Sequence, residues 1–268
     1  MDILQSIILG LIQGLTEFLP ISSSGHLVLG GALFGLESED ITFEVFLHFA
    51  TFLAVFVFFF RQILKIIISP LRYVFRGSRS DEDLFWSKYL LLIVIGTIPA
   101  VIVGLLLKDQ IEKAFSSVFL TGVMLLITTA VLFLTLLARP RRTELKLPDG
   151  ILVGIAQAIA ILPGISRSGS TISTAMFLGV DKKTAFNFSF LLSLPAIFGA
   201  FLLQLKEALD MSIEWGVISI YIPGMIVAFV SGYICLIILR RVVIAGKFAY
   251  FGIYTLIIAI LAIIFSHA

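Results

Sequence analysis

Apolar residues run through this chain in long blocks that polar clusters interrupt at wide intervals. Phe43 to Phe60, Tyr89 to Leu107, Phe115 to Ala138, Thr184 to Leu205, Trp215 to Leu239 and Phe248 to Phe265 are each nearly unbroken. A helix needs roughly 20 such residues to cross a hydrocarbon core about 30 Å thick, so the six blocks predict six transmembrane helices. Strand-like alternation is absent, which argues against a β-barrel. Two stretches, 1–36 and 148–180, depart from the pattern: each holds two short apolar segments broken by a Pro, Ser and Gly cluster. A helix from Asp2 to Leu19 would rise about 27 Å and one from Asp149 to Leu162 about 20 Å, so both stretches read as re-entrant hairpins.

Composition agrees with the blocks. Of 268 residues, 59% are hydrophobic and 13% charged, with a mean hydropathy of +1.12, more apolar surface than a soluble core of this size can bury. The N-terminus has neither a basic leader nor a small-residue cleavage site, so no signal peptide is expected to be removed. The single cysteine, Cys235, lies in an apolar block and reads as packing. A net charge of +2, spread over short loops, gives no reason to expect nucleic acid as a partner.

The positions of the charges orient the spans. Arg61, Lys65, Arg72, Arg76, Arg79 and Lys88 fall in one connection, Arg139, Arg141, Arg142 and Lys146 in a second, and Arg240, Arg241 and Lys247 in a third. These are expected to face the cytoplasm. The connections at Glu37 to Asp40, Lys108 to Lys113 and Lys206 to Glu214 contain no arginine and are expected outside. One hairpin then enters from outside and the other from the cytoplasm, with tips that meet near the midplane.

The hairpins also match each other. Gly10 pairs with Gly154, Gln13 with Gln157, Ser24 and Gly25 with Ser168 and Gly169, and Gly35 with Gly179 at a spacing of 144, while Leu19-Pro20 pairs with Leu162-Pro163 at 143. The expected architecture is therefore a single membrane domain over 1–268, all-α and polytopic. Its six transmembrane helices and two re-entrant helical hairpins form an inverted-topology repeat. The first repeat covers about 1–107 with its hairpin at 1–36, and the second about 148–239 with its hairpin at 148–180. Such repeats place ligand sites at their interface, with broken helix ends facing the ligand.

Irregular backbone at membrane depth survives only where it is buried in protein or lines a wet cavity. Ser22, Ser23, Ser24 and the Gly25 amide on one tip, with Ser166, Ser168 and the Gly169 amide on the other, are donors at helix starts, where anions are attracted. Arg167 is costly in a bilayer, by about 2.5 kcal/mol or more, and its planar fork suits phosphate or carboxylate. Its alternative role is an ion pair with Glu17. Glu17 shares a helix face with Gln13 and would repel an anion unless a cation such as Mg²⁺ or Ca²⁺ intervenes. His26 is placed to serve as base, acid or nucleophile. His48, four residues after Glu44, reads as packing or pairing on a full span, and His267 as an uninformative terminal residue. Gln157, Asn187, Ser189 and Ser193 read as helix-joining polar residues, and Phe56 to Phe60 as lipid-facing surface.

QGLTEFLPISSSGH and LPGISRSGSTIS, followed by GVDKKTAFNFSFLLSLPAIFGA, resemble the signature segments of the bacterial undecaprenyl-pyrophosphate phosphatases of the bacitracin-resistance type, and the resemblance spans essentially the whole chain. It implies hydrolysis of undecaprenyl pyrophosphate to the monophosphate and inorganic phosphate, recycling the lipid carrier for cell-wall synthesis and giving bacitracin resistance. It further implies a multi-pass protein of the bacterial cytoplasmic membrane with its site on the external side. Carried over by position, Glu17 would help hold Mg²⁺ or Ca²⁺, with Gln13 a weak second ligand. Ser23 or His26 would be nucleophile or base, and Ser166 and Arg167 would bind phosphate. Serine attack, histidine attack and attack by metal-bound water all remain open. The rival class is a transporter or flippase of a lipid phosphate or other anion, which the inverted repeat favours and the serine, histidine and arginine cluster disfavours. No single GxxxG stripe marks a dimer face, which leaves a homodimer open.

Overall fold

The hairpin that opens the chain is started by Asp2, whose carboxylate accepts the Gln5 N–H at 2.8 Å while the Gln5 side chain accepts the Asp2 N–H at 2.9 Å. This reciprocal cap satisfies two donors that a helix start would otherwise leave open. The computed structural model describes residues 2–34, 41–75, 77, 80–139, 141–210 and 215–266. Within them lie α1 (Ile3–Phe18), α2 (Ser23–Phe34), α3 (Ile41–Phe58), α4 (Phe60–Phe75), α5 (Asp81–Leu106) and α6 (Lys108–Phe115). The second half holds α7 (Val118–Leu134), α8 (Leu147–Ile159), α9 (Arg167–Phe177), α10 (Lys182–Asp210), α11 (Trp215–Ile244) and α12 (Phe251–Phe265). No β-strand occurs among the described residues; the sole ladder contact there is an isolated bridge between Arg142 and Val180. Gly35, the connection from Glu37 to Asp40, Arg76, Arg79, the segment 211–214, His267 and the side chain of Glu44 lie outside the described set.

Five described helices are long and apolar enough to cross a membrane, and α3 with α4 makes a sixth if that bent pair is one span. Their outward faces carry large apolar side chains in rows, such as Ile253, Ile257, Ile260 and Ile264 on α12 and Leu91, Val94, Ile98 and Leu105 on α5. Continuous exposed apolar surface of this extent is stable only in contact with lipid, which makes the chain an integral membrane protein.

Two local expectations change. The chain bends by 73° between α3 and α4, and the basic connection after Phe60 contains a helix of 16 residues. Its exposed apolar positions Phe60, Leu64, Ile67, Ile68, Leu71 and Val74 recur at helical spacing, a period that the interleaved Arg61, Lys65 and Arg72 disguise. Phe59, expected in lipid, is fully buried, with its ring centroid 6.0 Å from that of Phe186 and 6.3 Å from that of Phe190. The bend turns this side chain inward.

Small residues set the hairpin positions. α1 packs along α11 and α8 along α5. A Cβ on Gly10 would lie 2.1 Å from the Gly224 carbonyl oxygen, and one on Gly154 would lie 2.3 Å from that of Gly96. Both contacts require backbone against backbone, the way membrane helices associate most closely. The basic connection closes one end: Asp149 accepts from both terminal nitrogens of Arg142 at 2.7 Å, and Arg142 also donates to the Leu178 carbonyl at 2.9 Å.

Gly154→Ala is expected to destabilise by about 1–3 kcal/mol, because overpacking forces the two backbones apart. Gly199, which has open space around it, serves as control, since Gly199→Ala should leave stability equal or up to about 1 kcal/mol higher. Thermal melting in detergent checks both; equal midpoints for Gly154→Ala and wild type would contradict the close approach.

Candidate active site

Each hairpin turns on a serine that caps the helix after the break. On the first tip Ser22 adopts φ +65°, a left-handed conformation that costs a non-glycine residue about 1–3 kcal/mol and persists only where its surroundings hold it. Here they do. The Ser22 Oγ accepts the N–H of Gly25 at 3.2 Å and the N–H of Gly164, from the other tip, at 3.1 Å. On the second tip the Ser166 Oγ accepts the N–H of Gly169 at 3.1 Å. Ser22 and Ser24, like Ser166 and Ser168, approach to 3.3 Å. Thr128 on α7 fastens the second tip, donating to the Gly164 carbonyl at 2.8 Å and accepting the Ser166 N–H at 3.1 Å. Gly164 has φ +92°, and a Cβ there would lie 2.4 Å from the Thr121 carbonyl oxygen, so only glycine fits.

Across this junction Arg167, at the first turn of α9, donates to Glu17 Oε1 at 2.5 Å. Glu17 is buried and Arg167 is 23% exposed. The ion pair read as the alternative role of Arg167 is thus formed, and it leaves most of the guanidinium N–H groups free of other described partners. Glu17 Oε2 accepts from Ser23 Oγ at 2.9 Å and from Gln13 Nε2 at 3.1 Å. Gln13, Glu17, Ser23 and Arg167 therefore form one connected group, as their sequence positions suggested.

Other candidates serve differently. The Gly25 and Gly169 amides are occupied by Ser22 and Ser166, whose hydroxyl oxygens accept there and so build the scaffold of the two tips. The amides of Ser23, Ser24, Arg167 and Ser168, first in their helices, have no partner among the described residues. His26 lies apart from Ser23's hydrogen bond. Its Nδ1 is 2.8 Å from the Ser22 carbonyl, which can only accept, so Nδ1 carries the proton. Its Nε2 then accepts from the Tyr254 hydroxyl at 2.7 Å. Gln157 is buried with neither amide atom paired, Ser189 meets Thr171 at 2.5 Å, and Ser193 donates to the Phe190 carbonyl. Cys235 packs in the core, as expected.

Three contributors escape sequence reading: Thr128, Tyr254 and His48. His48 Nδ1 lies 3.1 Å from Gln13 Nε2 and 3.8 Å from Glu17 Oε2. Its position four residues after Glu44 suggested a pair on its own helix, and nothing in the spacing links it to Gln13, 35 residues earlier.

The group has the donors that a divalent cation takes. Glu17 Oε2 and the Ser23 hydroxyl are oxygens of the kind that hard cations prefer, while Gln13 turns its Nε2 to Glu17 and would offer an oxygen only with its amide turned over. With a single carboxylate, the residues fit a cation whose other ligands come from a bound phosphate.

Membrane-crossing helices around two capped tips, with open amides, a serine and an arginine–glutamate pair between them, define an integral membrane protein. The chain belongs to the bacitracin resistance protein BacA family, whose model matches residues 6–261. It is 40% identical over 274 residues to the undecaprenyl-diphosphatase of Christiangramia forsetii, covering 100% of both chains. It is 41% identical over 265 residues to the undecaprenyl-diphosphatase of Methanococcus vannielii, covering 98% of this chain and 100% of the other. The undecaprenyl-diphosphatase of Desulforapulum autotrophicum is 37% identical over 276 residues, with 98% of each covered.

Removing one member of the buried pair should be worse than removing both. Arg167→Met is expected to lose up to about 3–5 kcal/mol, and Arg167→Met with Glu17→Leu to recover much of it. Melting of these two variants and of Glu17→Leu alone checks this; strictly additive losses would mean that the pair has no structural weight.

Proposed function

We propose that this protein is an undecaprenyl-diphosphatase, hydrolysing undecaprenyl pyrophosphate to undecaprenyl phosphate and inorganic phosphate and so recycling the lipid carrier for cell-wall synthesis. The observation that carries the reading is the Ser23–Glu17–Arg167 group joining the two tips, in a chain whose full-length relatives bear that name. The pyrophosphate occupies the junction while the polyprenyl tail stays among the spans or in lipid.

In the proposed reaction Arg167 and the open amides of Ser23, Ser24, Arg167 and Ser168 hold the terminal phosphoryl group. Ser23 Oγ attacks its phosphorus as Glu17 takes the hydroxyl proton; a Ser23 O–P bond forms and the anhydride P–O bond to the lipid monophosphate breaks. The lipid monophosphate leaves with the proton from Glu17; water then attacks the phosphoserine phosphorus, Glu17 accepts a water proton and passes it to Ser23 Oγ as the Ser23 O–P bond breaks, and inorganic phosphate leaves. A Mg²⁺ or Ca²⁺ ion held by Glu17 and Gln13 would neutralise charge on the phosphates. Positioning and charge stabilisation supply most of the acceleration in such transfers. His26, bonded to Tyr254 and the Ser22 carbonyl, supports the tip that carries Ser23.

The same reading makes 1–107 and 148–239 the two arms of an inverted-topology repeat whose hairpins re-enter the membrane. The like caps of Ser22 and Ser166 and the like contacts of Gly10 and Gly154 support it. It also assigns the protein to the bacterial cytoplasmic membrane with its site reached from outside and its basic connections inside. A homodimer is part of the proposal only as an open assembly. The rival reading, a carrier for a lipid phosphate, draws on the paired hairpins.

Phosphate release from a short-chain polyprenyl pyrophosphate tests the assignment. Wild type should release phosphate with Mg²⁺ or Ca²⁺, Arg167→Lys should lose at least about 100-fold in kcat, and folded Ser23→Ala should lose nearly all turnover. Near-normal turnover by Ser23→Ala would remove serine attack. Binding of the lipid by wild type without release under any metal would replace the hydrolase with the carrier.

A further inference from the structure

His48 is the one ring nitrogen aimed at Glu17 among the described residues, and the mechanism above leaves it unused. α3 delivers it: this helix packs against both α1 and α11 and brings Nδ1 to 3.8 Å from Glu17 Oε2. Gln13 Nε2 sits between these two atoms, 3.1 Å from each. An amide nitrogen can only donate, so both neighbours accept, and the imidazole presents its lone pair on Nδ1 to the carboxylate. That is the form in which a histidine binds metal.

A carboxylate oxygen and a ring lone pair that share one donor also define a place for a cation. Bonds of about 2.1 Å to each span their 3.8 Å separation with an open angle. Turning the Gln13 amide over exchanges Nε2 for Oε1 and faces an oxygen toward the same two atoms. Charge points the same way. A pyrophosphate beside Glu17 has Arg167 alone to offset two kinds of negative group, whereas a divalent ion on these donors faces both the carboxylate and the phosphates.

We propose that His48, through Nδ1, is a ligand of the divalent cation together with Glu17 and Gln13, and that this nitrogen turns the site from Ca²⁺ toward first-row cations such as Mn²⁺ and Co²⁺. A ring nitrogen is a better ligand for first-row transition ions than for Ca²⁺, which takes oxygen. The proposal rests on the cation-dependent reading of the site given above, in which Glu17 is the single carboxylate.

The test uses the full-length protein in detergent with Mn²⁺ and methylenediphosphonate as the pyrophosphate probe. Binding is followed by the electron paramagnetic resonance of free Mn²⁺, and the ligand atoms by electron spin-echo modulation from ¹⁴N. Wild type should bind one Mn²⁺ that is lost in Glu17→Gln and that shows imidazole ¹⁴N modulation. In His48→Gln and His48→Leu the modulation should vanish and Mn²⁺ affinity fall at least about tenfold, the loss that removing even an outer-shell partner produces, while Ca²⁺ affinity changes less. Glu17-dependent Mn²⁺ without ¹⁴N modulation, at an affinity unchanged by His48→Gln, would overturn the assignment of His48 and leave the cation reading intact. Failure of wild type to bind Mn²⁺ at all, with the probe present, would overturn the cation reading and this inference with it. The wild-type spectrum decides the matter even if a variant does not fold.

Discussion

The ion pair between Glu17 and Arg167 is the interaction on which the rest of the site depends. Glu17 sits at the end of a short helix that stops at a break and Arg167 at the start of one that follows a break, and each would be an isolated charge in an apolar interior if the two hairpins did not meet. A charge at membrane depth costs several kcal/mol unless paired. Joining the tips therefore satisfies both residues, and it brings Ser23, held by the same carboxylate, next to the guanidinium. Glu17 in this arrangement orients Arg167, accepts from Ser23 and receives the Gln13 amide. One carboxylate thus links the arginine, the serine and the amide.

Around that pair the backbone divides its donors. Ser22 and Ser166 each close the third amide of the following helix, which fixes the turns, while the two amides before it on each helix stay open. Two helix starts so arranged carry four open N–H groups and a guanidinium, donors of the kind that anions take. The tips can hold this geometry because glycines let α1 and α8 rest directly on the backbones of α11 and α5. Close packing far from the serines thus places them.

Much of this was legible in the sequence because the bilayer penalises polar groups so strongly. Block lengths marked the spans, the Pro-Ser-Gly clusters marked the breaks, and Glu17 and Arg167 stood out as charges needing partners. The residues that escaped have weak signals. Thr128 is one threonine among several in an apolar helix, and its contact with Gly164 crosses 36 residues. Tyr254 and His48 meet the site only through the packing of α12 and α3, which periodicity does not specify. Conversely Gly25 and Gly169 read as open donors because spacing shows where an amide lies and not what already caps it. Phe59 was misplaced for a related reason, since the bend after α3 leaves no mark in an apolar run.

The central claim is that the two tips, 144 residues apart in sequence, are in contact and build one site. A Cβ at position 169 would lie 3.4 Å from that of Pro20, close to the separation of about 3.5–4.5 Å that a disulfide spans. The direct measurement is disulfide formation in Pro20→Cys/Gly169→Cys on a Cys235→Ala background, under mild oxidation in native membranes and read by peptide mass spectrometry. The account predicts an intramolecular bond between the two hairpins in nearly every chain. Two cysteines that each react with a thiol reagent, yet never join, would contradict it.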